Sequence, residues 1–189
     1  MSSDELTRQL NAIRILAQQL VSGRTRDQLT RRPDPSKWSI AECLAHLNLT
    51  ADVVQSKIAA AIEQGRKMNM TGTGPFSPGG FGRLLIWIAE PPPKFRMRAP
   101  KKIAPAIAHA DPAQIVADFM KFQDGWEKLI RDCDGLDQNR IKVASLFPGV
   151  PRLRLAAPIP WMMAHQRRHL WQAENVKRHI TQQSSVATA

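Results

Sequence analysis

Cysteine is scarce: the 189-residue chain has two, Cys43 and Cys133, far apart in sequence. That excludes a disulfide framework and a cysteine-rich zinc motif, and makes a reducing cytoplasm the expected compartment. Long apolar runs are missing too. The longest, LLIWIA over residues 84–89, is far short of the roughly 20 residues that a membrane helix needs. The opening MSSDELTRQL is polar and acidic, without the basic start and apolar centre of a secretory signal. Acids are outnumbered, 16 against 27 lysines and arginines, for a net charge of +11. Internal repeats are absent, as are the alternating apolar and polar runs of half-buried strands. No helix-turn-helix, zinc-finger or RNA-binding signature accompanies the positive charge.

What the chain does have is a core. Hydrophobic residues make up 43% of it, which excludes disorder throughout, and its length fits one domain over residues 1–189. The charge is concentrated. Residues 66–102 hold eight basic residues against one acid, Glu90, and residues 141–189 hold seven against one, Glu174. Such segments attract anions (nucleic acid, anionic lipid or an acidic small molecule) or simply form a solvated surface.

Four helical patterns organise the sequence. The first carries Leu6, Leu10, Ile13, Ala17 and Leu20 on one stripe, with Ser2 and Glu5 spaced as a capping box and Gly23 as the stop. The second is capped by Ser39, with Glu42 three residues on and Trp38 and Cys43 at the staple positions. Its stripe is Ile40, Cys43, Leu44, Leu47, Ala51, Val54 and Ile58, and Gly65 ends it. The third opens at DPAQ, with Asp111 as cap, Pro112 in the first turn and Gln114 completing a box. Ile115, Phe119, Phe122, Trp126, Leu129 and Ile130 form its buried face. The fourth runs from about Ile159 to about Ile180, followed by a polar tail at 181–189 that frays. The expected fold is an all-α four-helix bundle. A long Pro/Gly-rich basic connection, 65–110, joins its second and third helices and allows them to run parallel. Within it, FGRLLIWIAE has the makings of a short apolar helix. The segment between the third and fourth helices reads as irregular.

His165 and His169 stand four residues apart on the fourth helix. That spacing puts them about 40° apart around the axis, with Cβ atoms roughly 6 Å apart, so both imidazoles can reach one ion. A third donor must come from elsewhere, and the candidates are His46, His109 and His179. His46 lies at the edge of the second helix's apolar stripe, where a side chain lines a cleft between packed helices. Trp161, His165, His169, Gln172 and Val176 form the facing surface. Three neutral imidazoles with an open position suit catalytic zinc, and imidazole suits nickel, iron or copper as well. Two half-exposed histidines on a basic helix, and a hydrogen-bonded core histidine at 46, are the plainer readings of the same residues.

WSIAECLAHL (residues 38–47), followed much later by HQRRHLWQ (residues 165–172), resembles the DinB-like superfamily, four-helix bundles that include the YfiT-type proteins and the bacterial thiol S-transferases. Trp38, Ser39, Glu42, His46, His165, His169 and Gln172 match the family pattern. The resemblance implies a metal triad of His46, His165 and His169, with zinc or nickel as the divalent ion. It also implies parallel second and third helices and a homodimer. Some members transfer low-molecular-weight thiols such as bacillithiol or mycothiol to electrophiles. The 65–110 connection has no counterpart in a characterised substrate pocket of the family.

The expected function is therefore a divalent-metal-dependent thiol S-transferase or hydrolase, in which a metal-activated thiol or water attacks a small substrate. An anionic thiol is the expected partner molecule. Gln172, one turn beyond His169, is placed to orient a group behind the ligands or to make an ordinary interhelical hydrogen bond. Glu42 has the chemistry of a general base, but its capping position is the simpler account. Cys43 belongs to the core. Arg152 and Arg154 could receive a substrate carboxylate, whereas Arg167 and Arg168 read as surface residues. Two other classes stand beside this one. One is a non-catalytic, stress-related module that binds metal, nucleic acid or an anionic membrane, with FGRLLIWIAE at the interface. The other is a bundle with a vestigial site.

Overall fold

In the computed structural model the described residues are 1–95, 103–105, 110–144, 149 and 151–187, with 184–187 described by their backbone alone. Their regular structure comprises helices α1 (Ser3–Val21), α2 (Arg26–Thr30), α3 (Ile40–Lys67), α4 (Gly79–Ala89), α5 (Pro112–Asp132) and α6 (Pro158–Ala187). A two-residue antiparallel pair, β1 (Lys142–Val143) and β2 (Leu153–Arg154), precedes α6. The four long helices form the bundle: α1 and α3 each pack against both α5 and α6.

The local signals explain the starts of α1, α2, α3 and α5 and the stop of α1, whereas α3 runs two residues past Gly65. Ser39 accepts from the Glu42 amide at 3.2 Å while Glu42 accepts from the Ser39 amide at 2.9 Å, so the box that starts α3 closes in both directions. In α1 only half of the expected box forms. Ser2 accepts from the Glu5 amide, but the Glu5 carboxylate turns to Arg8 and Gln9. At α5, Asp111 accepts from the Ala113 amide, and Gln114 donates to Asp118 instead of completing a box. Asp118 is a one-turn neighbour and a charged acceptor, so it wins the Gln114 amide. Gly23 adopts φ +69° just past α1, the left-handed conformation that a helix stop requires.

The apolar stripes of α1 and α3 are buried as their spacing dictates. On α5, Phe122 is only partly buried, and Gln123 takes the interior position beside it. α6 continues seven residues past Ile180, so most of the expected fraying tail is helical. The chain before α3 forms α2, which its own Thr25–Gln28 capping box starts.

The long connection does permit parallel helices. Asn48 donates to the Ile115 carbonyl, Gln55 to the Phe122 carbonyl and Arg66 to the Asp132 carbonyl. The partner on α5 advances with the residue on α3, as it does only between parallel neighbours. Gly125 leaves room for the Gln55 amide that makes one of these bonds, since a Cβ there would stand 2.3 Å from its Oε1. Within the connection, α4 forms as its apolar run suggests and lies along α6. Gly82 makes this contact possible: a Cβ would stand 3.0 Å from the Ala157 Cβ.

Candidate metal centre

The bundle brings three histidines from two helices to one point. His46 projects from α3, one turn beyond the capping box. His165 and His169 project from successive turns of α6. One ring nitrogen of each lies within 4.8 Å of those of the other two. The ring centroids of His46 and His165 are 5.3 Å apart, and each of the other two pairs is 4.6 Å apart.

Hydrogen bonds orient two of the rings. His46 Nδ1 lies 2.7 Å from the Ile103 carbonyl oxygen. A carbonyl can only accept, so Nδ1 carries the proton and Nε2 presents its lone pair. Nε2 is 3.2 Å from His165 Nε2. Three nitrogens bound to one tetrahedral ion at about 2.1 Å would be separated by about 3.4 Å, so this edge has the right length. His169 Nδ1 donates to Gln172 Oε1 at 3.1 Å, which turns its Nε2 away from the glutamine.

Two tryptophans wall the cluster. Trp38 stacks on His169 with centroids 5.7 Å apart and leans on His46 at 5.0 Å, and Trp161 stacks on His165 at 5.2 Å. Burial keeps the imidazoles neutral. It lowers the pKa of His46, against the opposing pull of the Ile103 carbonyl. Burial, then the charges of His46 and Arg168, push His165 down to about 3. Burial, then its two partners and Arg168, take His169 well below the ordinary range. His46 and His169 are buried, while His165 is partly exposed. The donor set fits a divalent ion: three neutral nitrogens, two of them on rings oriented by partners on the opposite ring atom.

The DinB superfamily matches the sequence over residues 9–173. The chain belongs to the DinB superfamily. No curated protein and no solved structure matches it significantly. In this DinB-superfamily chain the triad joins the two segments that carry the resemblance, although more than a hundred residues separate them.

The remaining candidates fall elsewhere. His109 lies outside the described residues. His179 is exposed and pairs with Gln183 on its own helix. Glu42 is buried in the capping box and held by Arg32, with Nε 2.8 Å from Oε2. Its carboxyl is lowered because hydrogen bonds from Arg32 and Ser39 outweigh burial. That is the environment of a structural carboxylate. Cys43 is fully buried, and burial pushes its thiol far up. Arg152 and Arg154 are exposed, with Arg154 beside Gly79 at the start of α4.

Arg167 and Arg168 are only partly exposed, and both are bonded to other parts of the chain. Arg167 forms a two-pronged pair with Glu90 and donates to Gln9, and Arg168 donates to the Ile88 and Phe95 carbonyls. Both tie the end of α4 to α6. The wall role of Trp38 was visible in the sequence only as a staple, and the Ile103 carbonyl had no signal, since any residue supplies one.

The lowered histidines make stability pH-dependent. The unfolded chain takes up a proton on His165 below its ordinary 6.5, whereas the folded chain does so only near 3. The contribution is therefore full above pH 6.5 and is lost as pH falls across that window. At pH 5.5, allowing for the exposed flank of His165, that residue alone costs about 1 kcal/mol, and His46 and His169 act in the same direction. Urea unfolding of chelator-treated protein should show a lower midpoint at pH 5.5 than at 7.5. An unchanged or higher midpoint would refute neutral burial of the triad.

Proposed function

We propose that this DinB-superfamily chain is a divalent-metal-dependent enzyme, a thiol S-transferase or hydrolase acting on a small molecule. His46, His165 and His169 are its metal ligands. The observation that carries this reading is the convergence of three neutral imidazoles, with Nδ1 of His46 and of His169 held by hydrogen bonds. The family resemblance points to zinc or nickel as the ion, and the three imidazoles are suitable donors for either. When bound, such an ion lowers the pKa of a coordinated thiol or water and supplies a nucleophile near neutral pH. The chain's own part is to hold the ligands. Ile103 and Gln172 set the ring orientations of His46 and His169. Trp38 and Trp161 exclude water from the buried side.

Metal analysis of purified protein from zinc- and nickel-supplemented cultures should give one ion per chain. Turnover of a thiol and electrophile panel, or of an ester panel, should disappear with chelator and return with metal. Substoichiometric metal, or chelator-resistant turnover, would count against the proposal.

The exposed face of α4 favours a second reading, attachment to an anionic membrane, which is compatible with the first. Phe81, Leu84 and Trp87 recur at helical spacing and are 44%, 48% and 53% exposed, with Arg83 exposed among them and Lys94 over the Trp87 ring. Aromatic and aliphatic side chains next to cations suit the boundary of an anionic bilayer. No helix among the described residues is long and apolar enough to cross one. Co-sedimentation should occur with phosphatidylglycerol vesicles and not with phosphatidylcholine vesicles, and Leu84→Glu should weaken it about tenfold. Equal recovery in the supernatant with both lipids would eliminate this reading.

A further inference from the structure

The triad itself carries no charge, but a cation stands beside it. Arg168 precedes His169 and lies three residues after His165, within one turn of both on α6. It is partly buried. Its guanidinium donates from Nη1 to the Ile88 carbonyl at 3.0 Å and from Nη2 to the Phe95 carbonyl at 2.8 Å. These contacts satisfy two of its five donors and neutralise none of its charge. Among the described residues no carboxylate pairs with it.

Its neighbours show how the chain treats other cations. Arg167 is matched by Glu90, and Arg32 by Glu42. Glu90 and Glu42 are thus already committed. An unmatched, partly buried guanidinium is costly to the fold. Its i,i+3 spacing from His165 on α6 places its side chain next to that ligand on the helix surface. A divalent ion among three neutral ligands would leave the region more positive still.

We propose that Arg168 is a specificity-determining residue of this site, providing the anion subsite for a substrate that bears a carboxylate as well as the atom bound by the metal. The inference rests on the metal reading above and adds a substrate class to it: small thiols with a carboxylate a few bonds from sulfur. A guanidinium suits this task because its planar fork carries five N–H groups, of which the two carbonyls among the described residues take two.

Two matched thiols test it: 3-mercaptopropionate and the neutral 3-mercaptopropanol, which has the same chain length. In the first arm, cobalt(II)-loaded protein is titrated with each and thiolate-to-cobalt charge transfer is followed. The wild type should bind the anion at least tenfold more tightly. Arg168→Gln should bring the ratio near one by weakening the anion alone, and Arg168→Lys should keep part of the preference. In the second arm, metal-free protein is titrated with the same thiols while the Arg168 side-chain N–H resonances are followed by NMR. The acid, and not the alcohol, should shift them. Failure of cobalt to bind, with an anion-specific shift in the second arm, removes the metal reading and leaves the subsite standing. A wild-type ratio near one in the first arm overturns the subsite. So does a ratio retained in Arg168→Gln, or an equal loss for both thiols, which would mark Arg168 as a tie between α4 and α6 only. Where cobalt does not bind, equal responses to the two thiols in the second arm overturn it as well.

Discussion

Replacing His46 with alanine should weaken metal binding by about two orders of magnitude. Structural zinc sites with four ligands are worth roughly 10–16 kcal/mol, or about 3 kcal/mol per ligand, and about 3 kcal/mol is a factor of roughly 150 in affinity. The loss should not be milder at His46, although it is the ligand on the other helix. Its Nε2 lies 3.2 Å from His165 Nε2, and its Nδ1 is held by the Ile103 carbonyl. No other histidine among the described residues stands near enough to replace it, since the cluster consists of these three. His165→Ala should behave alike. His179→Ala is the control: the ring is exposed and engaged with Gln183, so affinity should be unchanged. Competition against a chromophoric chelator measures all four proteins. Wild-type affinity in either triad variant would sink the three-ligand site.

Trp126→Ala should produce the largest loss of stability. Trp126 on α5 is fully buried and heads the fully buried side chains by size. Truncating a buried tryptophan costs about 3–5 kcal/mol in lost burial and residual cavity. The buried indole N–H has no hydrogen-bond partner among the described residues, so its removal offsets a little of the loss, and the lower end of that range applies. For a chain of this length about 3 kcal/mol corresponds to a fall of about 10 °C in the melting temperature. Trp126 is on α5, whereas the ligands are on α3 and α6. Metal should therefore still bind in the cold, and a saturating ion at about a hundred times its dissociation constant should restore about 2.7 kcal/mol. Calorimetry with and without metal checks both parts. A shift of less than about 3 °C would mean that the α5 face is not packed as described. Lost metal binding in the folded variant would mean that the site depends on the whole core.

The site and the fold were legible to different degrees. His165 and His169 could be paired from sequence because a helix repeats every 3.6 residues, so a spacing of four is already a statement about space. The boxed start of α3 could be read for the same reason, since Ser39 and Glu42 satisfy each other within one turn. His46 could be placed at a cleft edge facing the last helix by its stripe, and the family resemblance singled it out from His109 and His179 as the third ligand. Arg167 and Arg168 were read as surface residues, and their bonds to other parts of the chain were missed. A helical wheel shows the direction of a side chain and not what the rest of the chain lays across it, here Glu90, Ile88 and Phe95. Gln114 was misread because a nearby acid, Asp118, competed for its amide.

The sequence by itself determined the short-range facts. These are four bundle helices with their caps and apolar stripes, a connection long enough for parallel neighbours, and two imidazoles on one helical face. They follow from periodicity and one-turn hydrogen bonding, which act over a few residues. Tertiary structure alone decided the register in which α3 and α5 run side by side, that the Ile103 carbonyl fixes the His46 tautomer, and that Arg168 stands beside the triad with no carboxylate partner among the described residues. Each depends on which surfaces the connections bring together. That choice is settled by burial and close packing over the whole bundle, through contacts such as Gly125 on Gln55 and Gly82 on Ala157.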